Sequence, residues 1–209
     1  MTINAILFDI GGVLVRTENR TPRAQLAARL GTTYEALANL VFSGEQGLRA
    51  QRGEVSAEEL WETMRQVLHL SPTEVPEVKR LFFAGDRLDT ELLDYIRSLH
   101  TRYKTGIISN ATDDTRQVIE GRWNMADAFD CIILSAEVGL MKPDPRIYQL
   151  AIDRLGVAPA EALFVDDMLV NIEGARSVGL NAIHYRGNGP LFNDLQPLLE
   201  GFEPHKERT

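Results

Sequence analysis

Asp9 closes the apolar run Ile6-Leu7-Phe8 and is followed, after Ile10, by Gly11 and Gly12. An apolar run stopped by a carboxylate and then by turn-permitting residues presents one acid at the carboxyl end of a buried strand. Asp9 is therefore a candidate nucleophile or metal ligand, against its ordinary use as a turn former or helix cap. Three later segments have the same form. Thr105-Gly106-Ile107-Ile108-Ser109-Asn110 ends in a hydroxyl, and Gly139-Leu140-Met141-Lys142-Pro143-Asp144-Pro145 fixes a lysine ahead of a helix start. Ala162-Leu163-Phe164-Val165-Asp166-Asp167 finishes in two adjacent acids. Ligands of an open parallel sheet sit beyond the carboxyl ends of its strands, so the four segments can bring carboxylate, hydroxyl, ammonium and paired carboxylates into one small volume.

Asp166 and Asp167 cannot both stay ionised side by side in a crevice unless a cation or hydrogen-bond donors offset their repulsion. A hard divalent cation such as Mg²⁺ takes oxygen ligands and keeps several waters, so two carboxylates and one carbonyl suffice. Capping of the next helix is the other use of such acids, and it coexists with metal binding.

The order, spacing and surroundings of Asp9, Ser109, Lys142 and Asp166-Asp167 resemble the four motifs of the haloacid dehalogenase-like hydrolase superfamily over nearly the whole chain. The runs Phe8-Asp9-Ile10-Gly11-Gly12-Val13-Leu14 and Phe164-Val165-Asp166-Asp167, with Asn171, Gly174 and Ala175 after it, are closest to its helical-cap phosphatase and dehalogenase branch. The resemblance implies an α/β fold, a Rossmann-like parallel sheet core with helices on both faces and an inserted α-helical cap. Residues 1–16 and 86–209 would form the core and 17–85 the cap, with hinges near Thr17 to Thr21 and Ala84 to Asp89. It further implies that Asp9 attacks a phosphate ester to give an acyl phosphate, that Ser109 and the Asn110 backbone N–H hold phosphoryl oxygens, and that Lys142 offsets negative charge. Asp9, the Gly11 carbonyl and Asp167 would ligate Mg²⁺ directly, Asp166 would act through water or orient Lys142, and Asn171 would stand behind them.

One position departs from the family pattern. Gly11 stands where a second aspartate usually serves as general acid and base, help worth about 10²- to 10⁴-fold. Low-pKa leaving groups, such as a sugar anomeric oxygen, suffer least from its loss, and the Phe-Asp-x-Gly signature resembles branches that are phosphatases of sugar phosphates, so the resemblance makes hydrolysis of a sugar phosphate the first expectation. A metal-independent 2-haloacid dehalogenase is the first alternative, since halide needs no proton. The paired acids oppose it, as does the missing Tyr-Gly-Thr run after Asp9. A phosphometabolite-binding protein with little turnover is the second alternative.

The rest of the chain must position these groups. Its 209 residues, 44% hydrophobic and 25% charged, suffice for one full core and a smaller appended unit. A net charge of −8 disfavours nucleic acid or an anionic membrane as a partner and suits a small phosphorylated substrate only if the local acids are neutralised. The single cysteine, Cys131, reads as core, and with no basic-then-apolar leader the expected location is cytoplasmic. The four histidines show no zinc spacing.

From the first motif to about Gly85 the periodicity is helical; strand and helix signals then alternate. Thr32 with Glu35 and Ser56 with Glu59 read as capping boxes, and Ser71-Pro72-Thr73-Glu74 as a further helix start. Leu60, Trp61, Met64, Val67 and Leu68 form one apolar face, and Leu88, Leu92, Ile96 and Leu99 another. A helix is expected near 113–122, and the tail from Pro204 reads as frayed. Glu45, Gln46, Arg49 and Arg52, among glycines, are candidates for a cap surface facing the substrate.

Overall fold

The computed structural model describes residues 2–199; the expectation for the tail from Pro204 lies outside them. Strands β1 (Ala5–Phe8), β4 (Lys104–Ser109), β5 (Cys131–Leu134), β6 (Ala162–Asp166) and β7 (Asn181–His184) form one parallel sheet in the order β5-β4-β1-β6-β7. The sheet is buried on both faces, which is why its strands are nearly continuous apolar runs.

Strand alternation sorts those runs between two layers. Ile6, Phe8, Ile107, Leu134, Leu163 and Val165 pack with α6 (Thr90–Leu99) and α11 (Asn188–Leu195). Ala5, Leu7, Ile108, Ile133 and Phe164 pack with α9 (Pro145–Leu155) and α10 (Leu169–Ser177) on the other face. With β1 at the centre and β4 and β6 as its neighbours, the carboxyl ends of these three strands are adjacent.

Between the first two core strands lies a helical unit: α1 (Thr21–Arg29), α2 (Tyr34–Phe42), α3 (Glu45–Gln51), α4 (Ala57–Val67) and α5 (Val75–Phe82). It has its own core, built on Leu26, Leu37, Val41, Leu60, Trp61, Met64, Val78 and Phe82. Its two connections pair as a short antiparallel ribbon, β2 (Val15–Thr17) with β3 (Asp86–Leu88), in the register Val15↔Leu88 and Thr17↔Asp86. Helical periodicity gave no sign of that ribbon, and Leu88 belongs to it rather than to α6. Among the described residues no helix is long and apolar enough to cross a membrane.

Several helix starts differ from the expectations. The cap of α2 is Thr33, whose side chain accepts from Ala36 N, one residue beyond the expected Thr32. Ser56 and Glu59 do form a reciprocal capping box. Glu74 accepts from the Ser71 amide as a capping-box acid would, yet Pro72 and Thr73 stay in a turn and α5 begins at Val75, with a proline in its first turn. Val67 is 50% exposed and falls off the apolar face of α4. The helix expected near 113–122 is a single turn, α7 (Thr115–Gln117), running into a wider π-helical turn over Val118–Arg122. A further short helix, α8 (Ser135–Val138), follows β5.

Candidate active site

Asp9 extends β1 by one residue, its amide donating to the Val165 carbonyl of β6 at 2.9 Å. Its carboxylate turns back, so that Oδ1 accepts from the Ile10 amide at 2.7 Å and lies 2.8 Å from Lys142 Nζ. Ser109, at the end of β4, faces this carboxylate, helps to lower its pKa against the effect of burial, and is 4% exposed.

Lys142 comes from the loop between α8 and α9, and the Asn110 side chain holds that loop. Asn110 Oδ1 accepts from the Lys142 amide at 2.8 Å and its Nδ2 donates to the Lys142 carbonyl at 3.0 Å. The ammonium, only 1% exposed, then reaches Asp166 Oδ2 at 2.6 Å as well as Asp9. Both Asp166 oxygens are engaged, since Oδ1 also accepts from the Met168 amide at 2.8 Å and Asn171 Nδ2 lies 3.0 and 3.1 Å from the two. Asp166 is fully buried and fixes the lysine.

Asp167 faces the loop that follows Asp9. Gly12 has φ +80°, and a Cβ there would lie 2.2 Å from Asp167 Oδ2, so the carboxylate occupies the space a side chain would fill. Only glycine combines this left-handed backbone with that approach. On the far side, His184 Nε2 lies 2.9 Å from the Asp167 carbonyl oxygen.

Carboxylate oxygens of Asp9, Asp166 and Asp167 lie within 4.8 Å of one another. Burial first, and then the charge of Asp166, push Asp9 up to about 6 despite the opposing ammonium of Lys142. Burial and Asp166 raise Asp167 as well. Three carboxylates crowded on one ammonium are the donor set a hard, oxygen-seeking divalent cation requires, so the residues fit Mg²⁺.

The structure thus brings Asp9, Ser109, Lys142, Asp166 and Asp167 together, and sets Asn110 and Asn171 as braces behind them. Gly11 is exposed, bridges to Val15, and has no atom within 4 Å of where a Cβ would stand. Of the cap candidates, Arg49 and Arg52 pair with Glu54 at 3.3 and 2.6 Å, and Arg49 also with Gln46 at 3.3 Å. Sequence reasoning missed the part played by His184. It also missed Ser135, whose hydroxyl accepts from the Ala111 amide at 2.9 Å and steadies the loop after Ser109. Neither has a spacing signal, because both act across strands.

Residues 3–179 match the family model described as a haloacid dehalogenase-like hydrolase. The chain is 29% identical over 208 residues to a D-ribitol-5-phosphate phosphatase of Bacteroides thetaiotaomicron, covering 94% of this chain and 98% of that protein. Over 110 residues it is 35% identical to a (S)-2-haloacid dehalogenase 4A of Burkholderia cepacia, covering 52% and 46%. Other relatives are longer: the chain spans 19% of a mouse acyl-CoA dehydrogenase family member 10 and 39% of a pig bifunctional epoxide hydrolase 2. A HAD-family enzyme of Bacteroides thetaiotaomicron shares the fold, with a TM-score of 0.78 at 22% identity over 92% of this chain and 99% of that one. That enzyme has also been solved in complex with magnesium and inorganic phosphate.

Proposed function

The chain belongs to the haloacid dehalogenase-like hydrolases, and from that premise we propose that it hydrolyses a small phosphate monoester, first a sugar phosphate, in a Mg²⁺-dependent reaction through Asp9. The observation that carries the reading is the buried cluster itself, with Asp9, Asp166 and Asp167 around Lys142. A phosphate dianion would be repelled by these acids unless a cation joined Lys142 in neutralising them.

In this mechanism an Asp9 oxygen attacks phosphorus in line with the ester oxygen. The new O–P bond forms as the leaving oxygen departs with its electron pair and takes a proton from water. Ser109 and the Asn110 amide hold the phosphoryl oxygens, and Lys142 counters the charge that Asp9 and the phosphate share. Water then attacks phosphorus, releasing inorganic phosphate and restoring the Asp9 carboxylate. Asp9, the Gly11 carbonyl and Asp167 would hold Mg²⁺, which when bound supplies charge neutralisation at the phosphoryl group. Residues 17–85 act as a cap that closes the crevice to bulk water and leaves room for the one water that hydrolyses the intermediate. A buried free cysteine and a net charge of −8 accord with a cytoplasmic enzyme acting on small metabolites rather than on nucleic acid or membranes.

A second reading, 2-haloacid dehalogenation, draws on the dehalogenase relative and on Gly11, which has no acid to lend. One panel separates the two: phosphate release from an aryl phosphate and several sugar phosphates, and halide release from a 2-haloacid, each with Mg²⁺ or chelator and with Asp9→Asn as blank. Phosphate release that needs both Mg²⁺ and Asp9 is the expected result. Metal-independent halide release, with no phosphate from any ester, would overturn it.

A further inference from the structure

The loop that follows Ser109 has a second set of contacts, directed at the helical unit rather than at the site. Asp113 Oδ1 accepts from the Ala57 amide at 2.8 Å, and Asp114 Oδ2 accepts from Lys79 Nζ at 2.7 Å. Ala57 is the first residue of α4. Its N–H is one of the four that a helix leaves without an internal partner, and the local capping box of Ser56 and Glu59 uses other groups. A carboxylate from another part of the chain therefore meets the positive end of α4, while its neighbour grips α5 through a charge-assisted bond.

The same loop is fixed at its other end. Asn110 clasps the Lys142 backbone, and Ala111 exchanges hydrogen bonds with Ser135. A third contact lies alongside: Gly53 of the helical unit has φ +71°, and a Cβ there would stand 2.3 Å from the Ala136 carbonyl oxygen. Ala136 N in turn donates to the Ala111 carbonyl at 3.3 Å.

We propose that Asp113 and Asp114 are positioning residues, a two-point latch through which the loop bearing Ser109 and Asn110 holds the cap down over the crevice. The latch rests on the phosphatase reading for its catalytic consequence, though not for its effect on the position of the cap. Each acid grips a different cap helix, so the closed arrangement is fixed in orientation as well as in distance. Losing both contacts should raise the open population by about tenfold.

The test uses the full chain with spin labels on the exposed Gln66 of α4 and Gln149 of α9, in a Cys131→Ala background that leaves no competing thiol. In Asp113→Ala/Asp114→Ala the distance distribution should broaden and lengthen without substrate, and exchange of the Ala57 amide should quicken by about tenfold. The charge exchange Lys79→Asp with Asp114→Lys should return the distribution toward that of wild type, as a purely local destabilisation would not. With an aryl phosphate, KM should rise more than kcat falls. Unchanged distances and unchanged Ala57 exchange in the double variant would overturn the latch. Absence of phosphate release by wild type would instead remove the phosphatase reading and leave the distance measurement to decide.

Discussion

Two buried cations, one in each half of the molecule, are handled in opposite ways. Arg23, its side chain 5% exposed, sits in the helical unit. Its Nε donates to the Phe82 carbonyl at 2.9 Å, Nη1 to the Tyr34 hydroxyl at 3.1 Å, and Nη2 pairs with Asp86 at 3.2 Å. Its guanidinium also lies 4.1 Å from the centre of the Phe82 ring. One charge meets one charge, the remaining donors find neutral acceptors, and the result is a structural centre. Lys142 faces Asp9 and Asp166 directly, with Asp167 beside them. Burial first, and then the charge of Asp166, raise Asp9 and Asp167, so the surplus of acid adds to a desolvation that is already unfavourable. The difference teaches that depth of burial does not mark a chemical site here, whereas unbalanced charge does.

The largest effect should come from removing part of that imbalance. If Asp9 is the nucleophile proposed above, Asp9→Asn should lower turnover by about 10⁴- to 10⁶-fold. Free of metal, the same variant should unfold at a higher temperature than wild type. Since folding raises Asp9 from 3.8 to about 6, its favourable contribution is complete below the lower value and is lost as pH rises through the upper one. The gain at neutral pH is about 1–3 kcal/mol and should vanish near pH 4. A variant that melts below wild type at neutral pH without metal would break the comparison.

Asp167→Asn reduces the acid surplus without touching Asp9, the proposed nucleophile. The Mg²⁺ concentration for half-maximal activity should rise by about 10²-fold, and the stabilisation that Mg²⁺ gives in thermal melts should shrink in parallel. On the other side of the comparison, Arg23→Met leaves Asp86 in the ribbon with its Thr17 bond and no cation. A loss of about 2–4 kcal/mol in denaturant unfolding is expected, with the Mg²⁺ midpoint unchanged. A shift in that midpoint would mean that the two centres are not separable.

The core of the fold was readable because its central strands are buried on both faces and announce themselves as apolar runs, three of them leading into a residue of the candidate site. Asp9, Ser109 and Asp166 stand at strand ends, so strand order alone brings them together. Lys142 was readable from Pro143 and the helix start behind it, though the Asn110 clasp that aims it was not. A side chain gripping a backbone 32 residues away leaves no periodic trace. The β2–β3 ribbon escaped for a related reason: three-residue strands are too short to show alternation. Thr33 displaced Thr32 as a cap because neighbouring threonines offer the same chemistry and only backbone geometry chooses between them.

Gly11→Asp makes the smallest and most discriminating change, because it adds an acid two residues after Asp9 instead of removing one. The position is exposed, and nothing lies within 4 Å of a Cβ there, so the side chain enters without displacing a neighbour. If the missing general acid limits the rate, cleavage of esters with poor leaving groups should quicken by about tenfold while an activated aryl phosphate changes little, since only the former needs a proton on departure. The metal-free protein should lose some stability, and Mg²⁺ should restore more of it than in wild type, because the added charge lies on the side of the imbalance. Leaving-group dependence measured across a series of aryl phosphates separates the two effects. A flatter dependence in the variant supports proton transfer from the new acid. An unchanged slope, in a variant that still responds to Mg²⁺, would mean that water already meets the need at Gly11 and that the surplus charge serves the metal alone.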